Sequence, residues 1–438
     1  MKISIVWFRN DLRLRDNVTL SEAIEHSDQV IPVYIFDESR WRSLDLGFRK
    51  TGPFQTKFIL EAVSDLKRQL QEMGSDLIIK TGNPPDEVIK LADQHGVDSI
   101  YATQEVTWEE TLQEERLKME LEGDGKQLHL IWQSTLFHLD DLVMPVGKLP
   151  DVFTAFRKKH EKYSGIRSEV GRPEAINSPK LESTEVPSFE HFDFTAEEAQ
   201  QDERTAIQLT GGESAAWDRL NRYFWETDQL KNYKWTRNGL LGEDYSSKFS
   251  PWLAHGCISP RSIYHEVQRY ERERKKNIST YWLVFELIWR DYFRFVCLKY
   301  GKQVFFKTGI KEVNLGLKDD LESFEQWRFG KTGQPFVDAN MQELLKTGFM
   351  SNRGRQNVAS YLVKDLGVNW KWGAAWFESQ LADYDVCSNW GNWIYVAGVG
   401  NDPRENRYFN VPNQAEKYDP KGEYVRHWLE PNLFSSID

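Results

Sequence analysis

Four short segments in the second half of the chain combine charged, amide and aromatic side chains. They are residues 244–251, 286–293, 348–356 and 383–393. Carboxylates, guanidinium groups and indoles seldom pack together in a core unless they bind a ligand or pair with one another. The four segments therefore indicate a site for a polar ligand, although Arg355 and Asp383 could also satisfy each other as a structural ion pair.

Residues 244–251 read Asp-Tyr-Ser-Ser-Lys-Phe-Ser-Pro and place three hydroxyls and a lysine ahead of a predicted helix. Ser250 and Ser259 each precede a proline, which is typical of an N-cap serine followed by proline at the first helical position. The free backbone donors and the positive dipole end of such a helix favour a phosphate. Plain capping explains the same pattern, so the phosphate interpretation needs support from the other segments.

Residues 286–293, Glu-Leu-Ile-Trp-Arg-Asp-Tyr-Phe, are predicted to be helical. A helix brings Glu286, Trp289, Arg290 and Phe293 onto one broad face, because they are three or four residues apart. An aromatic stripe with this spacing is usually core. A carboxylate and a guanidinium on the same face favour a wet pocket instead, and the face suits a flat polar ligand.

The first 132 residues have a different pattern from the segments above. Short β-branched runs alternate there with helical stretches, which predicts a doubly wound parallel α/β sheet, a Rossmann-like layer. No Gly-x-Gly-x-x-Gly follows the first run, so the dinucleotide fingerprint is missing. The predicted strands are residues 3–7, 30–36, 76–80, 99–102 and 128–132.

The rest of the chain is predicted to be a connector followed by an all-helical domain. From about residue 140 to 210 prolines and polar residues interrupt any regular pattern, which indicates a connector over the surface. Helical signals dominate after it. We therefore expect an α/β domain at residues 1–135, a connector at 136–210 and a helical ligand-binding domain at 211–438.

Composition narrows the class of protein. The net charge is −11 over 438 residues, so any binding to nucleic acid must use a local basic surface. Three scattered cysteines, Cys257, Cys297 and Cys387, do not have the spacing of a metal site. No apolar stretch approaches the roughly 20 residues that a membrane span needs. We expect a cytoplasmic, untargeted monomer without a metal.

The motifs together resemble the photolyase and cryptochrome family. The similarity begins at Val-Trp-Phe-Arg-Asn-Asp-Leu-Arg-Leu-Arg-Asp-Asn, residues 6–17, and extends to Tyr-Phe-Asn at 408–410. Residues 149–157, Asn-Arg-Gly-Arg-Gln at 352–356, and 397–404 are similar to the DASH-type cryptochromes in particular.

The resemblance implies a U-shaped FAD in the helical domain. It implies that residues around the 246–250 loop hold the phosphates, that Arg355 pairs with Asp383 beside the isoalloxazine, and that Asn389 faces flavin N5. The implied cofactor-binding residues are Tyr233, Arg237, Ser246, Ser247, Lys248, Phe249, Ser250, Arg290, Arg355, Asp383, Tyr384, Asp385 and Asn389.

The family resemblance also implies a reaction, the light-driven repair of cyclobutane pyrimidine dimers by a carbon-carbon lyase of the deoxyribodipyrimidine photo-lyase type. Asparagine at position 389 is similar to the photolyases, whose flavin works fully reduced. Glu286 would then hydrogen-bond the dimer, Trp289 would stack on it, and Asn352 with Arg353 would hold the strand.

Single-stranded DNA is the expected partner. A dimer must leave the base stack to reach a buried flavin, and this costs least in damaged or single-stranded DNA. An acidic protein with a small basic groove is suited to that substrate. Repair of the (6-4) photoproduct is not expected, because the relatives that perform it use histidines and none lies between His265 and His427.

Glu105, which follows the strand predicted at 99–102, is a candidate antenna residue. A lone glutamate after a strand is ordinarily a solvated charge. The resemblance nevertheless implies that it holds the pterin of a methenyltetrahydrofolate antenna.

Electron transfer to the flavin is the point where the sequence departs from the family. Two of the three relay tryptophans that the family uses are matched by Trp393 and Trp370, but Leu317 replaces the third. We expect slower or rerouted photoreduction, with an alternative exit through Trp372, Trp376 or Tyr395.

The sequence is also consistent with two other functions. A blue-light photoreceptor would use the same flavin with little or no repair, and a flavoprotein with dark redox activity would bind FAD without light-dependent loss of dimers. Signalling cryptochromes commonly extend well beyond the shared body, whereas this chain ends at Asp438. This favours the enzyme, or a receptor that acts through its core surface.

Overall fold

The structure, a computed structural model, describes residues 1–404 and 407–430. Its first part is a five-stranded parallel sheet. The strands are β1 (Ile3–Phe8), β2 (Gln29–Asp37), β3 (Ile78–Gly82), β4 (Ser99–Thr103) and β5 (Gln127–Ile131). Their order across the sheet is β3-β2-β1-β4-β5. The α/β prediction is confirmed, and each predicted strand overlaps an observed one.

Helices cover both faces of this sheet. Along β1, Val6 and Phe8 belong to one buried hydrophobic cluster, whereas Ile5 and Trp7 belong to another on the opposite face. A strand that is buried on both faces reads as a continuous apolar run, which is why the strands were visible in the sequence. The surrounding helices are α1 (Val18–Glu25), α2 (Pro53–Glu72), α3 (Pro84–His95) and α4 (Trp108–Gly123).

The predicted connector contains a regular helix that the sequence interpretation missed, α5 (Phe153–Tyr163). Phe153, Phe156 and His160 are buried along one side of it, at spacings of three and four. The flanking prolines concealed this short amphipathic pattern. The domain boundaries at residues 135 and 210 stay a prediction.

The remainder of the described chain is helical, as predicted. Its helices are α6 (Glu213–Asn221), α7 (Tyr233–Thr236), α8 (Ser250–Ala254), α9 (Pro260–Glu273), α10 (Ile278–Tyr300), α11 (Leu321–Arg328), α12 (Pro335–Thr347), α13 (Asn352–Ser360), α14 (Trp370–Gln380), α15 (Val386–Ala397), α16 (Val411–Tyr418) and α17 (Glu423–Leu429). No helix in the described ranges is both long and apolar enough to cross a membrane.

One of the two capping predictions is confirmed and one is wrong. Ser259 caps α9, and its hydroxyl accepts the N–H of Arg261 at 3.0 Å. Ser250 is instead the first residue of α8, and the N-cap position belongs to Phe249, which makes no side-chain capping bond. Phe249 already has helical backbone angles (φ −75°, ψ −8°), so the turn begins one residue earlier than the serine-proline pattern suggests.

Buried polar contacts join α10 and α9 to the first part of the chain. The carboxylate of Asp291 accepts the backbone N–H groups of Leu136 and Phe137 at 2.9 and 2.8 Å. Burial raises the pKa of Asp291 to about 7. Arg261 of α9 donates from Nη2 to Oδ1 of Asp16 at 2.7 Å. The Asp291 contacts fix α10, which carries the predicted ligand face, against the segment that follows β5, and the Arg261 contact fixes α9 against the segment that follows β1.

Candidate functional site

The predicted ligand residues converge on one cavity of about 430 Å³ in the helical part, called the main cavity below. Its wall is contributed by α7, the loop before α8, α8 itself, α10, the start of α13 and one side of α15. The predicted site residues that line it are Tyr233, Arg237, Ser246, Ser247, Lys248, Phe249, Ser250, Glu286, Trp289, Arg290, Asn352, Arg355, Asp383 and Asp385.

A smaller inner cavity of about 100 Å³ adjoins the main cavity, with which it shares Arg355, Asp383 and Asp385. Tyr384, Asn389 and Trp393 line the inner cavity. Asn389 is 8% exposed, and its amide donates from Nδ2 to the backbone oxygen of Ala374 at 3.0 Å. The orientation of this amide at the inner wall is therefore fixed by α14.

Close contact between α10 and α15 closes the site from behind. A Cβ at Gly391 would lie 2.3 Å from the ring of Phe293, so only glycine permits this approach. The contact brings the cavity-lining face of α10 against the middle of α15.

The face of α10 is arranged as the spacing predicted, since Glu286, Trp289, Arg290 and Phe293 all line the main cavity. Arg237 forms an ion pair with Glu286, with 2.7 Å between Nη1 and Oε1. Burial raises the pKa of Glu286, and the nearby Arg237 opposes this shift. The Glu286 carboxyl is therefore a hydrogen-bonding group in the wall of the main cavity.

Trp289 presents an aromatic surface to the same cavity. Its ring stacks on Phe153 of α5, with 3.6 Å between centroids and 13° between planes. The indole is thus held in a fixed plane at the wall, which suits the stacking of a flat ligand.

Arg355 and Asp383 form the predicted ion pair. Nη2 of Arg355 donates to Oδ2 of Asp383 at 2.8 Å, and Nε donates to the backbone oxygen of Met350 at 2.9 Å. Among the described residues, Oδ1 of Asp383 has no hydrogen-bond partner although it is buried. An unpartnered buried carboxylate oxygen is costly, so this oxygen fits a ligand that supplies an N–H or O–H donor.

Asp385 is held by two contacts. Oδ1 accepts the N–H of Ser388 at 2.7 Å and thereby caps α15, and Oδ2 accepts from Nη2 of Arg294 at 3.3 Å. Burial alone would raise the pKa of Asp385, but Arg294 and Arg290 outweigh it and hold the pKa below its ordinary value. Asp385 is therefore an anion at the junction of the two cavities.

The loop before α8 is held through its backbone oxygens. Arg219 donates from Nη2 to the carbonyl of Ser246 and from Nε to that of Ser247, both at 3.0 Å. Lys248 donates from Nζ to the carbonyls of Gly242 and Glu243, and burial, with Arg219 nearby, lowers its pKa to about 7. The loop therefore presents hydroxyl and N–H groups to the cavity, where a phosphate would fit.

Asn352 and Arg353 lie at the rim, on the first turn of α13. Asn352 is exposed and lines the main cavity. Arg353 lies beside it and is held by other groups: Nη2 donates to Oδ1 of Asn238 at 3.0 Å, and the guanidinium lies 4.5 Å from the ring centroid of Tyr418. A strand held by Arg353 would have to share it with these partners.

Several lining residues were not predicted. Ser388 and Asn392 follow Asp385 by three and seven residues, so the helical spacing of α15 could have revealed them. Tyr245 has a buried hydroxyl without a partner among the described residues, and no sequence signal distinguished it. Further unpredicted lining residues are Phe349, Met350, Gln356, Arg407 and Phe409.

The two predicted relay tryptophans lie inside the helical core. Trp370 is fully buried, whereas Trp393 lines the inner cavity and packs so closely over Gly373 that a Cβ there would lie 2.2 Å from its ring. Trp390, which was not predicted, meets Trp370 edge to face at 5.8 Å between centroids.

The three predicted alternative exits make other contacts. Trp376 packs on Phe48 at 4.9 Å between centroids and Trp372 on Phe324 at 5.5 Å, while Tyr395 lies against Trp289 at 5.9 Å. None of these contacts joins them to Trp370.

Glu105 is buried, 3% exposed, and is not the solvated charge that a lone glutamate after a strand suggests. It accepts from Nη1 of Arg294 at 2.9 Å and from Nδ2 of Asn10 at 3.3 Å. Because Arg294 also binds Asp385, the carboxylates of Glu105 and Asp385 are joined through one guanidinium. Arg294 follows Arg290 by four residues, a spacing that could have identified it.

A second cavity, of about 640 Å³, lies at the carboxyl ends of β1 and β2 and reaches α14 and α15. Asn10 and Arg294, the two residues that bind Glu105, line this cavity, as do Lys371, Tyr384 and Trp390. Glu105 thus lies directly behind its wall. The position agrees with the rule that ligands of α/β sheets bind at the carboxyl ends of strands.

Comparisons with known proteins match both parts of the chain. Residues 282–434 match the family profile described as the FAD binding domain of DNA photolyase, and residues 4–177 match that described as DNA photolyase. Cryptochrome DASH of Synechocystis sp. is 50% identical over 97% of this chain and 87% of its own. Cryptochrome DASH of Xenopus laevis is 49% identical over 98% and 82%. The crystal structure of Synechocystis sp. cryptochrome superposes with a TM-score of 0.95 at 49% identity, covering 98% and 89%.

Proposed function

Because the chain belongs to the photolyase/cryptochrome family, and within it to the cryptochrome DASH group, we propose that it repairs cyclobutane pyrimidine dimers in light. We infer that single-stranded DNA is its preferred substrate. The observation that carries the proposal is the main cavity itself, in which Glu286 and Trp289 lie on one wall and the Arg355–Asp383 pair lies on another.

The cavity residues fit FAD. The unpartnered Oδ1 of Asp383 suits the imide N–H of an isoalloxazine, and the hydroxyl and N–H groups at residues 246–250 suit phosphates. When bound in its reduced form, FAD supplies upon excitation the electron that opens the dimer, and takes it back afterwards. Asn389, fixed by Ala374, would lie at the flavin ring and favour the reduced state.

The protein's contribution to repair would be orientation. Glu286, with its raised pKa and its partner Arg237, would hydrogen-bond the dimer, and the fixed plane of Trp289 would stack on it. Asn352 at the exposed rim would contact the strand. Positioning of this kind lowers a barrier without a nucleophile or a general acid.

The balance of charge and opening cost supports the proposed preference for single strands. The net charge of −11 repels phosphates at long range, so only a limited number of local cations attract the strand. Extracting a dimer from a duplex costs on the order of a few kcal/mol more than from a strand that is already open. The weak electrostatic attraction does not offset that cost.

We further propose that methenyltetrahydrofolate binds as an antenna in the second cavity. A cavity of about 640 Å³ with cationic and aromatic walls suits a folate, which has an aromatic pterin and carboxylates. Glu105 would act there through Asn10 and Arg294, because its own carboxylate lies behind the wall.

The experiment is a comparison of light and dark with purified, FAD-loaded protein and an oligonucleotide carrying one defined dimer. Illumination should remove the dimer, and Glu286→Gln should slow removal at least tenfold. The matched control is Glu273→Gln, on an exposed surface pair with Arg269. Photoreduction of FAD without loss of the dimer would contradict the proposal and favour the photoreceptor.

A further inference from the structure

Trp235, between two residues that line the main cavity, is unusually exposed. It is 72% exposed, whereas Tyr233 is buried and Arg237 is partly buried. A single exposed apolar side chain needs no explanation by itself. Its neighbours give this one a context.

Cations and indoles alternate between Trp235 and the main cavity. Nζ of Lys234 lies 4.9 Å from the ring centroid of Trp235 and 4.6 Å from that of Trp282. The guanidinium of Arg237 lies 5.6 Å from the centroid of Trp282, and Arg237 pairs with Glu286 at the cavity wall. The group formed by Lys234, Trp235 and Trp282 is called the outer platform below.

Aromatic contacts connect the outer platform to the cavity wall by a second route. Trp282 stacks on Phe285 with 4.7 Å between centroids, and Phe285 meets Phe153 at 5.3 Å. Phe153 in turn stacks on Trp289. Aromatic rings therefore extend from the cavity wall to Trp282, and Lys234 lies between Trp282 and the exposed indole of Trp235.

The charge of the outer platform is positive. Lys234 forms no ion pair with any residue in the described part of the chain, and Arg237 is paired only with Glu286 there. The exposed indole of Trp235, beside an ammonium without an ion-pair partner in the described chain, is complementary to a strand that offers both base planes and phosphates. An apolar surface of a protein partner would make no use of the cations that lie beside these indoles.

We propose that the outer platform binds unpaired bases that flank the dimer, with a base stacked on Trp235 and a phosphate near Lys234. The inference rests on the proposed function, since it assigns a single-stranded partner to the surface beside the same cavity. Bases inside a duplex are already stacked and cannot reach the indole. The outer platform would therefore add affinity for single strands and little for duplexes.

The experiment measures binding of an undamaged, labelled thymine oligonucleotide by fluorescence anisotropy in the dark. Trp235→Ala should weaken binding about tenfold, the loss typical of one base-aromatic stack, and Trp235→Phe should retain most of the affinity. The matched control is Tyr163→Ala, whose ring is 65% exposed at the end of α5 and lies 4.7 Å from Nζ of Lys162. The control should bind like the wild type.

Salt dependence separates the two contributions. Lys234→Ala should reduce the slope of log affinity against log salt by about 0.7, the value for one single-strand phosphate, whereas Trp235→Ala should leave the slope unchanged. Equal affinity of Trp235→Ala and wild type for the single strand would overturn the proposal, including the case in which Trp235 contacts another protein. An equal loss for single strands and duplexes would also overturn it.

Failure of the outer platform can be told apart from failure of the proposed function. If the Trp235→Ala variant repairs dimers in light and binds the strand with unchanged affinity, only the platform proposal is wrong. If binding depends on Trp235 but no light-dependent repair occurs, only the repair proposal is wrong.

Discussion

The guanidinium of Arg355 donates from Nη2 to Oδ2 of Asp383 at 2.8 Å, while the other oxygen of that carboxylate has no partner among the described residues. The pair leaves one buried acceptor without a partner, on a residue that lines both the main and the inner cavity. This geometry suits a neutral donor of a bound flavin. It makes Asp383 the residue whose change should affect cofactor binding most directly.

Asp383→Asn should weaken FAD binding at least tenfold, about 1.4 kcal/mol, because it removes the ion pair and exchanges an acceptor for an amide. Titration of the apoprotein with FAD, followed by flavin fluorescence, measures the change. Asp202→Asn is the matched control, since Asp202 pairs with Arg204 outside the cavity. An unchanged affinity for FAD in Asp383→Asn would contradict the assignment.

Glu105→Gln should lose the near-ultraviolet absorbance of the antenna while keeping most of the FAD. Arg294 would retain Asp385 but lose its second anionic partner, so we also expect a lower melting temperature, by a few degrees. The absorption spectrum and a thermal melt check both effects. Glu120→Gln on α4, an exposed pair with Arg116, serves as control. Retention of the antenna absorbance in Glu105→Gln would contradict the folate proposal.

Trp390→Phe should slow photoreduction in the presence of an external thiol reductant several-fold. Trp390 is edge to face with Trp370 and lines the second cavity, so we expect it to provide the exit that Leu317 cannot. Trp376→Phe is the comparison, because Trp376 packs against Phe48. Transient absorption compares the photoreduction rates of the two variants. A larger effect of Trp376→Phe would contradict this expectation and support the exit through Trp376 that the sequence predicted.

Glu343→Gln should flatten the dependence of stability on pH. Glu343 is buried beside Tyr424, and burial raises its pKa from 4.5 to about 7. Between pH 4.5 and 7 the folded protein therefore holds a proton that the unfolded chain has released, so stability falls as pH rises through this window. Between pH 5 and 7.5 the free energy of unfolding of the variant should rise, relative to that of the wild type, by on the order of 1–3 kcal/mol.

Thermal melts at the two pH values measure this gain. The raised pKa of Glu378, also about 7, should preserve part of the slope in both proteins, which makes the difference between them the informative quantity. Parallel melting curves would show that Glu343 is ionised in the fold at pH 5.

Local patterns in the sequence predicted much of the site. The four residues of the α10 face came from helical spacing, and the five strands from β-branched runs buried on both sides. The ion pair of Arg355 with Asp383 came from residue types that need partners. In each case the signal lies within a few residues of the chain or in a strong chemical complementarity.

Long-range contacts account for what the sequence did not reveal. The burial of Glu105 depends on Arg294, which is distant in the chain, and the Trp370–Trp390 contact depends on the crossing of α14 with α15. The cap at Ser250 failed because Phe249 already adopts helical angles. Spacing along one element cannot specify how two elements meet.

Repair rates of the same oligonucleotide, single-stranded and in a duplex, measure both dimer repair and its strand preference. A defined cyclobutane dimer is placed in an oligonucleotide, either alone or annealed to its complement, and dimer loss is followed under the same blue light with excess FAD-loaded protein. We expect rapid loss in the single strand, at least tenfold slower loss in the duplex, and none in the dark. Equal rates on both forms would contradict the strand preference, and no loss on either form would contradict the repair function itself.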